Sequence, residues 1–167
     1  DEQDALISAS GVNNEMYLAQ LIADHNYVNQ SASVFGFATY YRVKLGMYHY
    51  ATAELDGVLG DSGDLKKVQA YYLSEYGMDV SYSDIQQYNL VAYLGSAMTW
   101  HYWRGLAGYI FEDDVRFRID SNVAGWRLPE VDFYLNAYGA SYLGGLGGSF
   151  KDMTYISFWV GDVFFGG

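Results

Sequence analysis

The sequence predicts an all-β fold, a small antiparallel β-barrel of about eight strands with one short helix, and a soluble α+β domain is the alternative. Three observations predict it. The last third, Asp114 to Phe165, alternates with the period of two that puts successive side chains on opposite faces of a strand. Ser33 to Met47 carries a second long alternating row. The chain also holds 19 Gly and 18 Tyr but one Pro, with 19% aromatic residues, and glycine at that density suits sheets that bend or close.

In the last third, Val115, Phe117 and Ile119 alternate with Arg116, Arg118 and Asp120, and Asp120-Ser121-Asn122 with Gly125 just beyond predicts a turn. After Pro129, which suits a strand start or an edge, Val131, Phe133 and Leu135 face one way while Glu130, Asp132, Tyr134 and Asn136 face the other. Ala140 to Phe150 is a glycine-rich strand, and Lys151-Asp152 forms a two-residue link into Met153 to Phe165. A link that short requires antiparallel pairing, because a parallel partner needs a long crossover.

From the beginning of the chain, residues 1 to 14 are polar and small and are expected to contribute little chemistry. Glu15 to Tyr27 alternates well enough for a strand, with a helix capped by Asn14 as the competing assignment. Asn29-Gln30-Ser31 predicts a turn and matches an N-glycosylation sequon. In Ser33 to Met47 the row Phe35, Phe37, Thr39, Tyr41, Val43, Leu45 and Met47 is apolar, and its complement, Gly36, Ala38, Tyr40, Arg42, Lys44 and Gly46, is small or charged except for Tyr40. Val34, Ala38, Tyr41, Leu45, Tyr48, Thr52, Leu55 and Leu59 also follow a heptad-like spacing, but interior glycines, β-branched residues and aromatics favour the strand. A row of that length matches a tilted membrane-spanning strand. Tyr48 to Leu55 is the expected return strand, and Asp56 to Asp64 a solvated acidic loop without the terminal Glu of a calcium hand.

Leu65 to Tyr76 is the predicted helix. Asp64 can cap it, Leu65, Val68, Tyr72 and Tyr76 form one stripe, and Gly77 stands where a helix C-terminus prefers glycine. Residues 83 to 111 are open between helix and strands. Ser83 and Gln86 resemble a capping box, whereas Leu90 to Tyr102 alternates, and the expectation is a strand, a bend near Arg104-Gly105 and a second strand through Phe111.

Composition excludes several function classes. A net charge of −11 with nine Lys and Arg argues against nucleic acid, whose phosphates need clustered basic residues. The absence of Cys excludes disulfide scaffolds and thiolate zinc sites. Taken as a single domain over 1–167, with a polar Asp1-Glu2-Gln3-Asp4 start like that of a processed chain, the sequence is expected to be extracytoplasmic, in an outer membrane or secreted.

His25, His49 and His101 lie in separate segments without zinc spacing, and there is no G-x-S-x-G elbow, P-loop or dinucleotide fingerprint. No metal or cofactor is expected. The cluster Trp100, His101, Trp103 and Arg104 is the candidate ligand-binding site, since a histidine and an arginine among indoles can stack a sugar, hold an anion or partner a serine nucleophile. Asp113/Asp114 and Glu130/Asp132 are candidate carboxylate pairs. The expected role is structural, adhesive or the binding and passage of a small ligand, with a lipid bilayer or small ligand as partner and homo-oligomers as a further expectation. A secreted soluble binding or self-assembling domain and a barrel-borne hydrolase using His101 or His49 are the alternatives.

Overall fold

The computed structural model describes residues 2–60, 63–119, 129–136, 139–150 and 154–163. It overturns the barrel. Among the described residues six α-helices dominate: α1 (Glu2–Asn29), α2 (Gly36–Lys44), α3 (Gly46–Leu55), α4 (Asp64–Tyr76), α5 (Tyr82–Gly95) and α6 (Ala97–Glu112). Short strands β1 (Ser31–Ser33) and β2 (Arg116–Arg118) make an antiparallel ribbon. The strands β3 (Glu130–Asn136), β4 (Gly139–Phe150) and β5 (Thr154–Val163) form a three-stranded sheet in that order. No barrel exists among the described residues, so the outer-membrane barrel and the barrel-borne hydrolase fall with it. No described helix is long and apolar enough to cross a membrane.

The long helix α1 replaces the predicted strand at Glu15 to Tyr27 and takes in the residues before it. Its buried positions include Ala5, Ala9, Val12, Met16, Ala19, Ala23 and Asn26, alternating steps of four and three that keep one stripe inward. Alanines on that stripe let neighbouring helices approach closely. The stripe runs through two cores. Ala5, Ala9 and Val12 pack with Leu65, Val68, Tyr72, Ile85 and Phe133, and Ala19 and Ala23 with Tyr40, Val43, Met98, Tyr102 and Ile119.

The predicted strand Ser33 to Met47 is instead β1's end, α2 and the start of α3. Tyr40, Val43, Lys44, Met47 and Ala51 are buried, a helical spacing. The junction between α2 and α3 has an identifiable cause. The buried Asn89 side chain of α5 donates Nδ2 to the Lys44 carbonyl at 3.1 Å and accepts the Tyr48 N–H at 3.0 Å. Those two groups are four residues apart and would bond each other in an unbroken helix, so Asn89 is inserted into the ladder.

Helix α4 agrees with its sequence signals, ending on Gly77 at φ +66°, although Gly63 rather than Asp64 is its N-cap. Helices α5 and α6 take the place of the strands expected over 83–111. The capping box that starts α5 is Ser81 with Asp84, two residues ahead of the predicted one. The β4–β5 pairing is antiparallel, as a short link requires. The Lys151-Asp152 link itself, the Asp120-Ser121-Asn122 turn with Gly125, and Asp61 and Ser62 of the acidic loop lie outside the described residues.

Strand β3 sits against α1 and α5, and both acids of its Glu130, Asp132, Tyr134 and Asn136 row are buried. Glu130 and Asp132 are 1% and 0% exposed.

Candidate functional site

Helix spacing decides how the predicted cluster is divided. Ala97, Trp100, His101 and Arg104 recur at three- and four-residue steps and share a face, which Trp103 leaves. Gly95, Ala97, Trp100, His101, Arg104 and Pro129 line a cavity of about 460 Å³. Trp100 is exposed, and its Nε1 donates to the Leu94 carbonyl at 2.9 Å. His101 is buried with its ring edge-on to Tyr27, and Arg104 donates to the Arg118 carbonyl. Trp103 turns away. Its Nε1 donates to the Tyr93 hydroxyl at 2.8 Å, and its ring packs edge-on against Phe37 at 5.0 Å.

The other candidates are not brought together. His25 lies beside Asn29 on α1, and His49 lies between the rings of Tyr41 and Tyr48. No serine partners His49 among the described residues. Ser96, the serine nearest His101 in sequence, spends its Oγ on the backbone of Ala92 and Val131. No three His, Cys, Asp or Glu residues gather among the described residues in a way that could hold a metal. Asp113 and Asp114 are exposed at the end of α6, while Glu130 and Asp132 are buried in the core.

Those two acids anchor a polar network that the sequence did not reveal. Lys44, 1% exposed, pairs with Asp132 and donates to the Val131 carbonyl at 2.6 Å. Glu130 accepts from the Met98 N–H at 2.7 Å and from the hydroxyls of Tyr27 at 3.1 Å and Tyr40 at 3.5 Å. Burial, reinforced by the Glu130 charge, pushes the Tyr40 phenol well above its ordinary value, so it remains a donor.

A second and more polar cavity, of about 640 Å³, is built where α1 ends, the β1–β2 ribbon begins and α2 crosses α6. Its floor is Tyr102 and Asn26, 2% and 7% exposed. Asn26 Nδ2 donates to the Tyr102 hydroxyl at 2.9 Å. Burial holds the Tyr102 phenol above its ordinary value, with the Asn26 bond opposing, so the hydroxyl keeps its proton. Among the described residues that proton has no acceptor and the Asn26 side-chain oxygen no donor. Gly36 leaves the hydroxyl accessible, because a Cβ there would come within 2.7 Å of it.

The rim adds hydroxyls from Ser31, Ser33 and Thr39, and the guanidinium of Arg116. Arg116 stands opposite Ser33 in the ribbon and has no acidic partner among the described residues. Arg118 stands opposite Ser31 in the same ribbon. Alternation in the Arg116-Phe117-Arg118 segment was legible in the sequence, but its convergence with α1 required the helical fold. No family model, curated protein or solved structure matches the chain.

Proposed function

We propose that the protein is a binding module for a small hydroxylated anion, such as a sugar acid or sugar phosphate, held in the cavity floored by Asn26 and Tyr102. The observation that carries this is the pair of unused polar groups at the buried floor. A ligand hydroxyl accepts from Tyr102 and donates to Asn26, while Arg116 on the rim faces an anionic end. Small-ligand sites combine a concave shape with a few convergent polar groups of this kind.

The test is thermal unfolding with gluconate, glucose 6-phosphate and uncharged glucose, because a ligand that binds only the folded state raises the melting temperature. The anions are expected to raise it and glucose to raise it less. Arg116→Ala should erase the difference between them, and Gly36→Ala should abolish the shift by filling the floor. No shift with either anion, or a shift unchanged in both variants, overturns the assignment.

One observation favours a second reading at the other cavity. The exposed Trp100 indole, oriented by Leu94 beside His101 and Arg104, is suited to stacking on a sugar ring. Quenching of tryptophan fluorescence that disappears in Trp100→Phe but survives Gly36→Ala assigns binding there instead.

A further inference from the structure

Lys44 and Asp132 form a fully buried ion pair between the last residue of α2 and the middle of β3. A buried ammonium needs acceptors for three N–H groups. Among the described residues Lys44 has two, the Asp132 carboxylate and the Val131 carbonyl. Burying two full charges is costly, whereas a neutral amide in the same place needs only ordinary hydrogen bonds. The placement is fixed from both sides. Asn89 holds the Lys44 backbone, and Ser96 holds Val131 by accepting from its N–H at 3.1 Å and donating to its carbonyl at 2.8 Å.

We propose that Lys44 Nζ and Asp132 Cγ become joined by an intramolecular amide bond that the folded chain forms on itself. The ammonium gives one proton to the carboxylate, and the neutral amine then attacks Cγ. The Nζ–Cγ bond forms and the bond from Cγ to its hydroxyl breaks. That hydroxyl leaves with a second amine proton as water. The balance is one ammonium and one carboxylate giving one secondary amide and one water, with no oxidant, reductant or activating group.

Tyr40 feels the charge of both Glu130 and Asp132. The product suits the site better than the ion pair. Its nitrogen carries one N–H, for which the Val131 carbonyl stands ready, and the two opposite charges of the pair are replaced by one neutral amide. The bond ties positions 88 apart in sequence in a chain without cysteine.

The test is the intact mass of the purified full chain followed by peptide mapping. The expected result is a mass lower by one water than the sequence requires, with the Lys44 peptide joined to the Asp132 peptide and no tryptic cleavage after Lys44. Asp132→Ala and Lys44→Arg should restore the full mass. Because those variants can fail to fold, the decision rests on the unaltered chain. A full mass with separate Lys44 and Asp132 peptides overturns the proposal, as does loss of one water mapped to another aspartate, where an imide has formed instead.

Discussion

Asn13 of α1 uses its side-chain amide as a strand would use its backbone. It donates Nδ2 to the Leu135 carbonyl at 2.6 Å and accepts the Leu135 N–H at 3.0 Å. Four residues earlier on β3, Ser96 does the same for Val131 with its hydroxyl. The backbone groups of β3 that point away from β4 are thus met at both positions by side chains, one from α1 and one from the α5–α6 junction.

Asn13→Ala leaves both Leu135 groups without a partner and should destabilise the fold by about 2–3 kcal/mol, measured by urea denaturation. Asn13→Asp should recover part of that, since a carboxylate still accepts the N–H but cannot donate to the carbonyl.

Asn89→Ala removes the amide inserted between Lys44 and Tyr48. The expected cost is about 1–3 kcal/mol. Hydrogen exchange checks the mechanism, because Tyr48 N–H should lose protection unless α2 and α3 fuse, in which case its protection rises.

Glu130→Ala deprives the Met98 N–H and the hydroxyls of Tyr27 and Tyr40 of their acceptor, and should cost about 2–4 kcal/mol. Glu130→Gln keeps an acceptor for Met98 and should cost less. Thermal melts of the two variants distinguish them.

Alkaline pH should unfold the protein cooperatively. Burial raises the phenols of Tyr40, Tyr72 and Tyr102 above the ordinary value of 10.0 and takes Tyr142 to about 12. The unfolded chain therefore loses these protons first, and stability present below pH 10 falls as pH rises through the folded-state values. Tyrosinate absorbance should rise in two steps, the later one coinciding with loss of helical circular dichroism. A single step near 10 with intact helices contradicts this.

Gly77→Ala places a side chain at φ +66° and should cost about 1 kcal/mol, as should Ser81→Ala, which removes the α5 cap. Being at opposite ends of the α4–α5 connection, the two effects should add in denaturation.

The helix with ordinary punctuation, α4, was legible in the sequence, and so was the alternation of β3. The others were hidden by which residues they bury. In α1 the inward stripe is largely alanine while Leu6, Ile7, Leu18 and Leu21 are exposed, so the large side chains do not mark the inner face. In α2, Lys44 is buried and Phe35, just ahead, is 71% exposed, which turns a helical period into apparent alternation. At the site, Trp100, His101 and Arg104 line one cavity, and Trp103 could be separated from them only once α6 was known to be a helix. The floor of the polar cavity joins Asn26 to Tyr102 across 76 positions, a distance no local pattern spans.

The occupied side of β3 also gives the sheet a valence of one. Along the stretch where β3 pairs with β4, the outer edge of β5 has no strand alongside among the described residues. Two copies meeting β5 to β5 along that stretch would use up each other's open edge there, so association through it ends at a pair and does not propagate as an endless ladder.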